Sequence, residues 1–282
     1  METIIATTDL SANSRAGMQY AIHLARQRNA ALVFLHVHYV LRASGWSDET
    51  YNGYVRQTEA ELQSEFSDFV TAAYQTAGLE PGHMQLKLIN HYDTVETITA
   101  FAEHSKASYI CISTRGAGRL RKLFGTNTGK LIGKSSVPVI SVPSNYSFKP
   151  VETLLYASDM TDYEAELKKV VAFAKPLQTK VELLHINYPW ELVVDKELAE
   201  ASLERKLDYP IHLHYQGRNI EQALLEQISD AMKATNPDLL VMFTNQERSL
   251  FERLFLSSKA EEYSFGAKVP LLCFRKEVTA KL

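Results

Sequence analysis

Short apolar runs alternate with amphipathic stretches along the whole chain. In the first half the apolar runs predict strands near 3–7, 31–37, 85–89, 108–113 and 138–142. Between them, three-to-four residue periodicity predicts helices near 12–28, 54–77, 94–105 and 126–134. The stretch 54–77 shows the pattern well: Leu62, Phe66, Phe69, Val70 and Ala73 form one stripe. The segment 41–53 before it, with Gly45-Trp46-Ser47-Asp48, reads as an exposed loop. The same order returns in the second half, with strands near 153–157, 180–186, 211–215, 238–243 and 270–274. Strands alternating with helices imply parallel sheets with right-handed crossovers.

The recurrence extends to single residues. Ile4 to Ser11 matches Leu154 to Thr161, which puts Asp9 and Asp159 150 residues apart. Ala31 to Val37 matches Lys180 to Ile186, with His36 and His185 149 apart, and Val137-Pro138 matches Val269-Pro270, 132 apart. The shrinking offset predicts a second copy that is shorter in its middle. Pro143-Ser144-Asn145-Tyr146-Ser147-Phe148-Lys149-Pro150 joins the copies, polar and bracketed by prolines that neither pair in a ladder nor continue a helix. The boundary falls near 147, giving units of 1–146 and 147–282. Proline at the start of a short apolar strand suits an edge, and two matching edges, 138–142 and 270–274, are expected to pair within the chain.

The candidate chemistry follows the fourth strand, in Ser113-Thr114-Arg115-Gly116-Ala117-Gly118-Arg119-Leu120-Arg121-Lys122-Leu123-Phe124-Gly125-Thr126-Asn127-Thr128. Glycine lets backbone N–H groups approach an anion, and Gly125-Thr126-Asn127 leads into a helix whose amino end attracts negative charge. Residues 115–134 hold Arg115, Arg119, Arg121, Lys122, Lys130 and Lys134 and no acid. Equally, Gly116 and Gly118 can simply shape a turn, Thr126 cap a helix and the bases coat a solvated face.

The Asp-containing first strand, the Leu-His-Val end of the second, the glycine loop and the closing Val-Pro-Val strand together resemble the universal stress proteins, and two copies in one chain resemble the tandem members of that family. The resemblance implies an α/β fold of two tandem open parallel-sheet domains, Rossmann-like and similar to the adenine nucleotide alpha hydrolases, paired as an intrachain pseudo-dimer. It also implies a stress-response binding protein that holds ATP or AMP in the glycine loop. Carried over, the family's loop falls on Ser113, Gly116 and Gly125-Thr126-Asn127. Ser113 replaces a glycine, and eight residues rather than nine separate Gly116 from Gly125. The adenine side falls on Thr7, Asp9 and Val37. On the residues alone, Asp9 is equally an acceptor for an adenine amino group or a cap for the first helix. Tyr92 stands where the family has a small glycine before Asp93.

In the second copy Thr244, Glu247 and Ser257 occupy the three glycine positions, and four acids offset four bases between 244 and 268. No nucleotide is expected there. That copy keeps Gly217 where the first has Tyr92, and a different ligand is open to it.

Other signals weigh less. His212 and His214 share a strand face, but no third ligand at zinc spacing is evident. His36 and His185 sit at equivalent positions, which suggests structural roles. There is no nucleophile elbow, Walker sequence or Cys-x-x-Cys pair, and no acidic cluster near 113–128 to hold a metal, so no catalytic residue is named. A slow ATPase and a nucleotide-free interaction scaffold stand as alternatives.

Charge changes the picture only when the halves are separated. Residues 1–150 hold 14 Lys/Arg against 12 Asp/Glu, and residues 151–282 hold 16 against 21, within a whole-chain net charge of −3. That balance excludes a nucleic-acid binder, and the positive excess of the first half sits in its loop. At 45% hydrophobic with 2 Cys, both in apolar runs, the composition is that of an ordinary globular protein with buried reduced thiols. The first residues lack a secretory pattern, and no apolar run is long enough to cross a membrane, so a cytoplasmic protein is expected. Expected partners are an adenine nucleotide and, as an option, a second copy of the chain.

Overall fold

A computed structural model describes residues 1–114, 126–160, 162–188, 195–244 and 268–276. In the first half the elements are β1 (Thr3–Thr8), α1 (Arg15–Arg28), β2 (Ala31–His38), α2 (Asp48–Ala77), β3 (Met84–Asn90), α3 (Thr94–His104), β4 (Tyr109–Thr114), α4 (Thr126–Lys134) and β5 (Val139–Pro143). The second half adds β6 (Thr153–Ser158), α5 (Tyr163–Ala174), β7 (Lys180–Asn187), α6 (Lys196–Leu207), β8 (Ile211–Gly217), α7 (Leu224–Thr235), β9 (Leu239–Thr244) and β10 (Leu271–Arg275).

All ten strands lie in one sheet ordered β3-β2-β1-β4-β5-β10-β9-β6-β7-β8. The second half reads as the first reversed. Every neighbouring pair is parallel except the central one, where β5 and β10 run antiparallel through Val139↔Cys273, Ile140↔Leu272 and Ser141↔Leu271. The two expected edges therefore close on each other. Pro138 sits just before β5, where its carbonyl still accepts from Ile110 N–H. Side chains alternate across β1: Ile4 and Ala6 pack under α1, and Ile5 packs on the opposite face.

The halves are also tied beside the sheet. Arg28 at the end of α1 is almost fully buried, its Nε and Nη2 donating to both Glu2 carboxylate oxygens at 2.8 and 2.7 Å. Its Nη1 crosses to the second half and donates to the Phe173 carbonyl at 2.7 Å. The guanidinium lies over the Tyr109 and Phe173 rings.

One expectation changes, and with it the extent of the loop expected over 41–53, which gives way to helix from Asp48. The long helix begins at Asp48, six residues earlier than the apolar stripe indicates. Ser47 caps it by accepting from Thr50 N–H, while the opening turns bury no side chain, so periodicity misses them. The shortening of the second copy is located as well: α2 has 30 residues and its counterpart α6 has 12.

Candidate functional site

Because β1 lies between β2 and β4, the chain leaves β1 toward one side and returns to β4 on the other. The crevice at the carboxyl ends of β1 and β4 is the place where open parallel sheets take ligands. Around it stand the turn after β1, the amino end of α1, the end of β4 and the amino end of α4.

Short hydroxyl side chains organise this crevice. Leu10 N–H donates to Thr8 Oγ1 at 3.0 Å, and Ser14 Oγ donates to the Ser11 carbonyl at 2.8 Å. The 2.7 Å contact between Thr8 and Ser14 hydroxyls must then carry the Thr8 proton. Leu10 takes a left-handed φ of 59°, and Met160 at the matching place in the second half does the same. Met160 N–H also donates at 3.0 Å to a hydroxyl two residues back, that of Ser158. A left-handed leucine or methionine is uncommon, and strain of this kind collects at binding sites.

Ser113 is committed to the scaffold. Its Oγ accepts from Gly17 N–H at 2.7 Å and donates to the Ser14 carbonyl at 3.0 Å. It thus occupies the amino end of α1, where an anion would otherwise find a free donor. Thr128, buried in the first turn of α4, donates to the Ser113 carbonyl at 3.4 Å. The two ends of the basic loop are thereby pinned together. Gly116 and Gly125 lie outside the described residues. Thr126 opens α4, and Asn127 beside it is exposed.

On the other side of β1, Asp9 Oδ1 accepts from Ser11 N–H at 3.1 Å and Ser11 Oγ at 2.6 Å. Partial burial pushes its carboxyl up, but the Ser11 bonds outweigh burial and hold it below the usual carboxylate value. The aspartate shapes the turn rather than capping α1, whose N-cap is Ser14. Thr7 is buried with its hydroxyl donating to the Cys111 carbonyl on β4 at 3.3 Å, so the hydroxyl is engaged in holding β1 to β4. Val37 is half-buried on β2, paired with Ile89. The structure brings Asp9, Ser113 and the first turn of α4 to one crevice, with Val37 one strand away. Thr8, Leu10, Ser14 and Gly17 escaped sequence reasoning; the Ser11-Ala12-Asn13-Ser14 run was the available signal.

The histidines divide. His36 is buried and its Nδ1 donates to the Thr8 carbonyl at 2.8 Å, fastening β2 to the end of β1. His185 instead lines a cavity in the second half. His212 is exposed on β8, and among the described residues no group of metal-binding side chains converges. No described helix is long and apolar enough to cross a membrane. Both cysteines are buried and free, and burial pushes their thiols up.

The corresponding crevice in the second half is built differently. Lys276, just after β10, turns inward and donates to both oxygens of Asp159 at 2.8 and 2.6 Å. Its Nζ is also 3.3 Å from buried Glu166 Oε1, while the Tyr156 hydroxyl donates to the other Glu166 oxygen. Thr244 is buried at the end of β9, its hydroxyl donating to the Phe274 carbonyl at 3.4 Å. Glu247 and Ser257 lie outside the described residues. Burial pushes the Glu166 carboxyl up, against the opposing pull of Tyr156 and Lys276. The folded state therefore holds that proton more tightly than the unfolded chain, whose value is near 4.5. Stability is expected to decline as pH rises above this value through the raised folded one. Urea unfolding between about pH 4 and 8 checks this: Glu166→Gln should flatten that part of the profile, and an unchanged slope rejects it.

Comparison with known proteins agrees with this architecture. The chain is similar over 98% of both lengths to a universal stress protein from Archaeoglobus fulgidus DSM 4304, at 18% identity and a TM-score of 0.69. It is also similar to a functionally unknown protein from Pseudomonas aeruginosa PAO1, at 14% identity and a TM-score of 0.52, over 98% of this chain and 92% of that one. No curated protein matches. The family model for the Universal stress protein family matches residues 1–143, half of the chain, which shows that the chain belongs to that family.

Proposed function

We propose that the protein is a stress-response binding protein with two domains divided near residue 147, of which residues 1–146 hold one adenine nucleotide. Residues 147–282 hold none, and the protein acts through the bound state rather than by chemistry on the ligand. The observation that carries this reading is the contrast between the equivalent crevices. In the first, the bonds of Asp9 among the described residues stay within its own turn, and Ser113 and Thr128, which flank the basic stretch, are pinned to each other. In the second, Asp159 is engaged by Lys276.

On this reading Asp9 accepts from the adenine amino group or a ribose hydroxyl. Gly116, Gly125, Thr126 and Asn127 supply backbone donors to the phosphates, with Ser113 as their fixed origin and Thr7 and Val37 flanking the base. Because Ser113 occupies the amino end of α1, the phosphates fall to α4. A carboxylate bonded to the ligand is worth roughly 10- to 100-fold in affinity, so Asp9→Ala should weaken ATP by about that factor and Asp9→Asn by less.

Mass spectrometry of nucleotide released from the purified protein, followed by equilibrium binding, tests this. Retained ATP or AMP, lost in Gly125→Glu, supports it. No binding at about 1 mM ATP, a free-energy gain near 4 kcal/mol, overturns it in favour of a scaffold. Phosphate release abolished by a single side-chain change would make the protein an enzyme.

A further inference from the structure

At the carboxyl ends of β6, β7 and β9, between the sheet and α7, lies a cavity of about 130 Å³. Its floor is apolar, formed by Leu184, Ile186, Ile228 and Met242, and its polar lining is Ser158, Asp159, Glu166, His185, Tyr188 and Lys276. This is the switch-point position of the second half, so the fold puts a cavity where parallel sheets bind ligands. Several features exclude an anion. Lys276 is already bonded to both Asp159 oxygens and stands 3.3 Å from Glu166, so a phosphate or carboxylate would meet two carboxylates across a neutralised lysine. A cationic ligand would meet the Lys276 ammonium, with the nearest carboxylate, Asp159, already bonded to it. What fits is an uncharged molecule with an apolar body for the floor and hydrogen-bonding capacity toward the polar lining. Size narrows this further, since an apolar cavity of roughly 150 Å³ takes up benzene.

We infer that the second half carries its own ligand site, for a neutral single-ring molecule with hydrogen-bonding capacity, distinct in place and chemistry from the nucleotide site proposed for the first. The apolar floor supplies the binding free energy, and the polar lining orients the molecule. The site does not depend on whether the first half binds nucleotide.

Phenol is a suitable probe, and the methionine methyls are the reporters. Met242 lines the cavity, while Met18 is buried in the core of the first half. In the full chain labelled at its methionine methyls, phenol should shift the Met242 resonance saturably, leaving Met18 unmoved. The dissociation constant should be on the order of 1 mM, as suits a ligand of few atoms. Benzoate and benzylamine should bind at least about tenfold more weakly, since each brings an unpaired charge to a paired rim. Ile228→Phe, which fills the floor, should abolish the shift; if that variant does not fold, the wild-type comparison of the three probes decides alone. A Met242 resonance indifferent to phenol overturns the site. Equal response to benzoate or benzylamine overturns its neutrality, and saturable movement by ATP instead makes it a second nucleotide site.

Discussion

Arg28→Met should cost about 3 kcal/mol of stability. The side chain is 2% exposed and makes three hydrogen bonds to two partners that lie far apart in sequence. The Glu2 carboxylate is 37% exposed, so its ion pair is screened and contributes little. The larger loss is at the Phe173 carbonyl, which would keep its burial and lose a charged donor, and at the Tyr109 and Phe173 faces on which the guanidinium lies. Methionine preserves much of the volume, so the loss reports bonding more than a cavity. Arg28→Lys should recover little, because a single ammonium cannot serve Glu2 and Phe173 together while stacking on two rings. Calorimetry checks this. The wild type and the variant should each unfold in one transition, the variant at a lower temperature, because the hydrophobic core and the pairing of β5 with β10 still run across both halves. A variant within about 0.5 kcal/mol of the wild type would place Arg28 among ordinary surface residues.

The same distinction between local and distant causes separates what sequence reasoning could reach from what it could not. Apolar runs and the Asp9/Asp159, His36/His185 and Val-Pro correspondences are local patterns. They carried the β/α order, the repeat and the pairing of 138–142 with 270–274. The start of α2 was missed because its opening turns bury nothing, although Ser47 followed by Asp48 and Glu49 is a legible capping signal. The site was harder to read because its key contacts cross the chain. Lys276 reaches Asp159 over 117 residues, and Gly17 meets Ser113 over 96. Neither pairing leaves a spacing to recognise. A lysine after the last strand reads as a solvated charge until the fold turns it inward. Ser113 shows a further limit: as a substituted glycine it reads as a weakened loop, whereas in place it is the residue that anchors the loop to α1.

That anchoring leaves no room for a side chain at Gly17, and Gly17→Ala should destabilise the protein by about 2 kcal/mol while also weakening ATP. A Cβ there would stand 2.8 Å from both the backbone nitrogen and Oγ of Ser113 and 3.0 Å from the Ile112 carbonyl carbon. No rotamer change relieves contact with backbone. β4 is held in the sheet by β1 on one side and β5 on the other, so either α1 lifts or the end of β4 shifts. Against this stands the ordinary helical gain of glycine to alanine, close to 1 kcal/mol, which the clash must exceed. Gly133 supplies the control: it is exposed in α4 with nothing within 4 Å of an added Cβ, so Gly133→Ala should stabilise by about 0.5–1 kcal/mol. The same substitution in two helices is thus expected to have opposite signs. Ser113→Gly should rescue Gly17→Ala only in part, because it removes the Oγ contact and leaves those to the backbone of β4. Denaturant unfolding of the four proteins in this cycle, with ATP affinity measured on each, tests the argument. A Gly17→Ala protein as stable as the wild type would show that α1 and β4 are not rigidly joined, and the proposed role of Ser113 as fixed origin of the loop would fall with it.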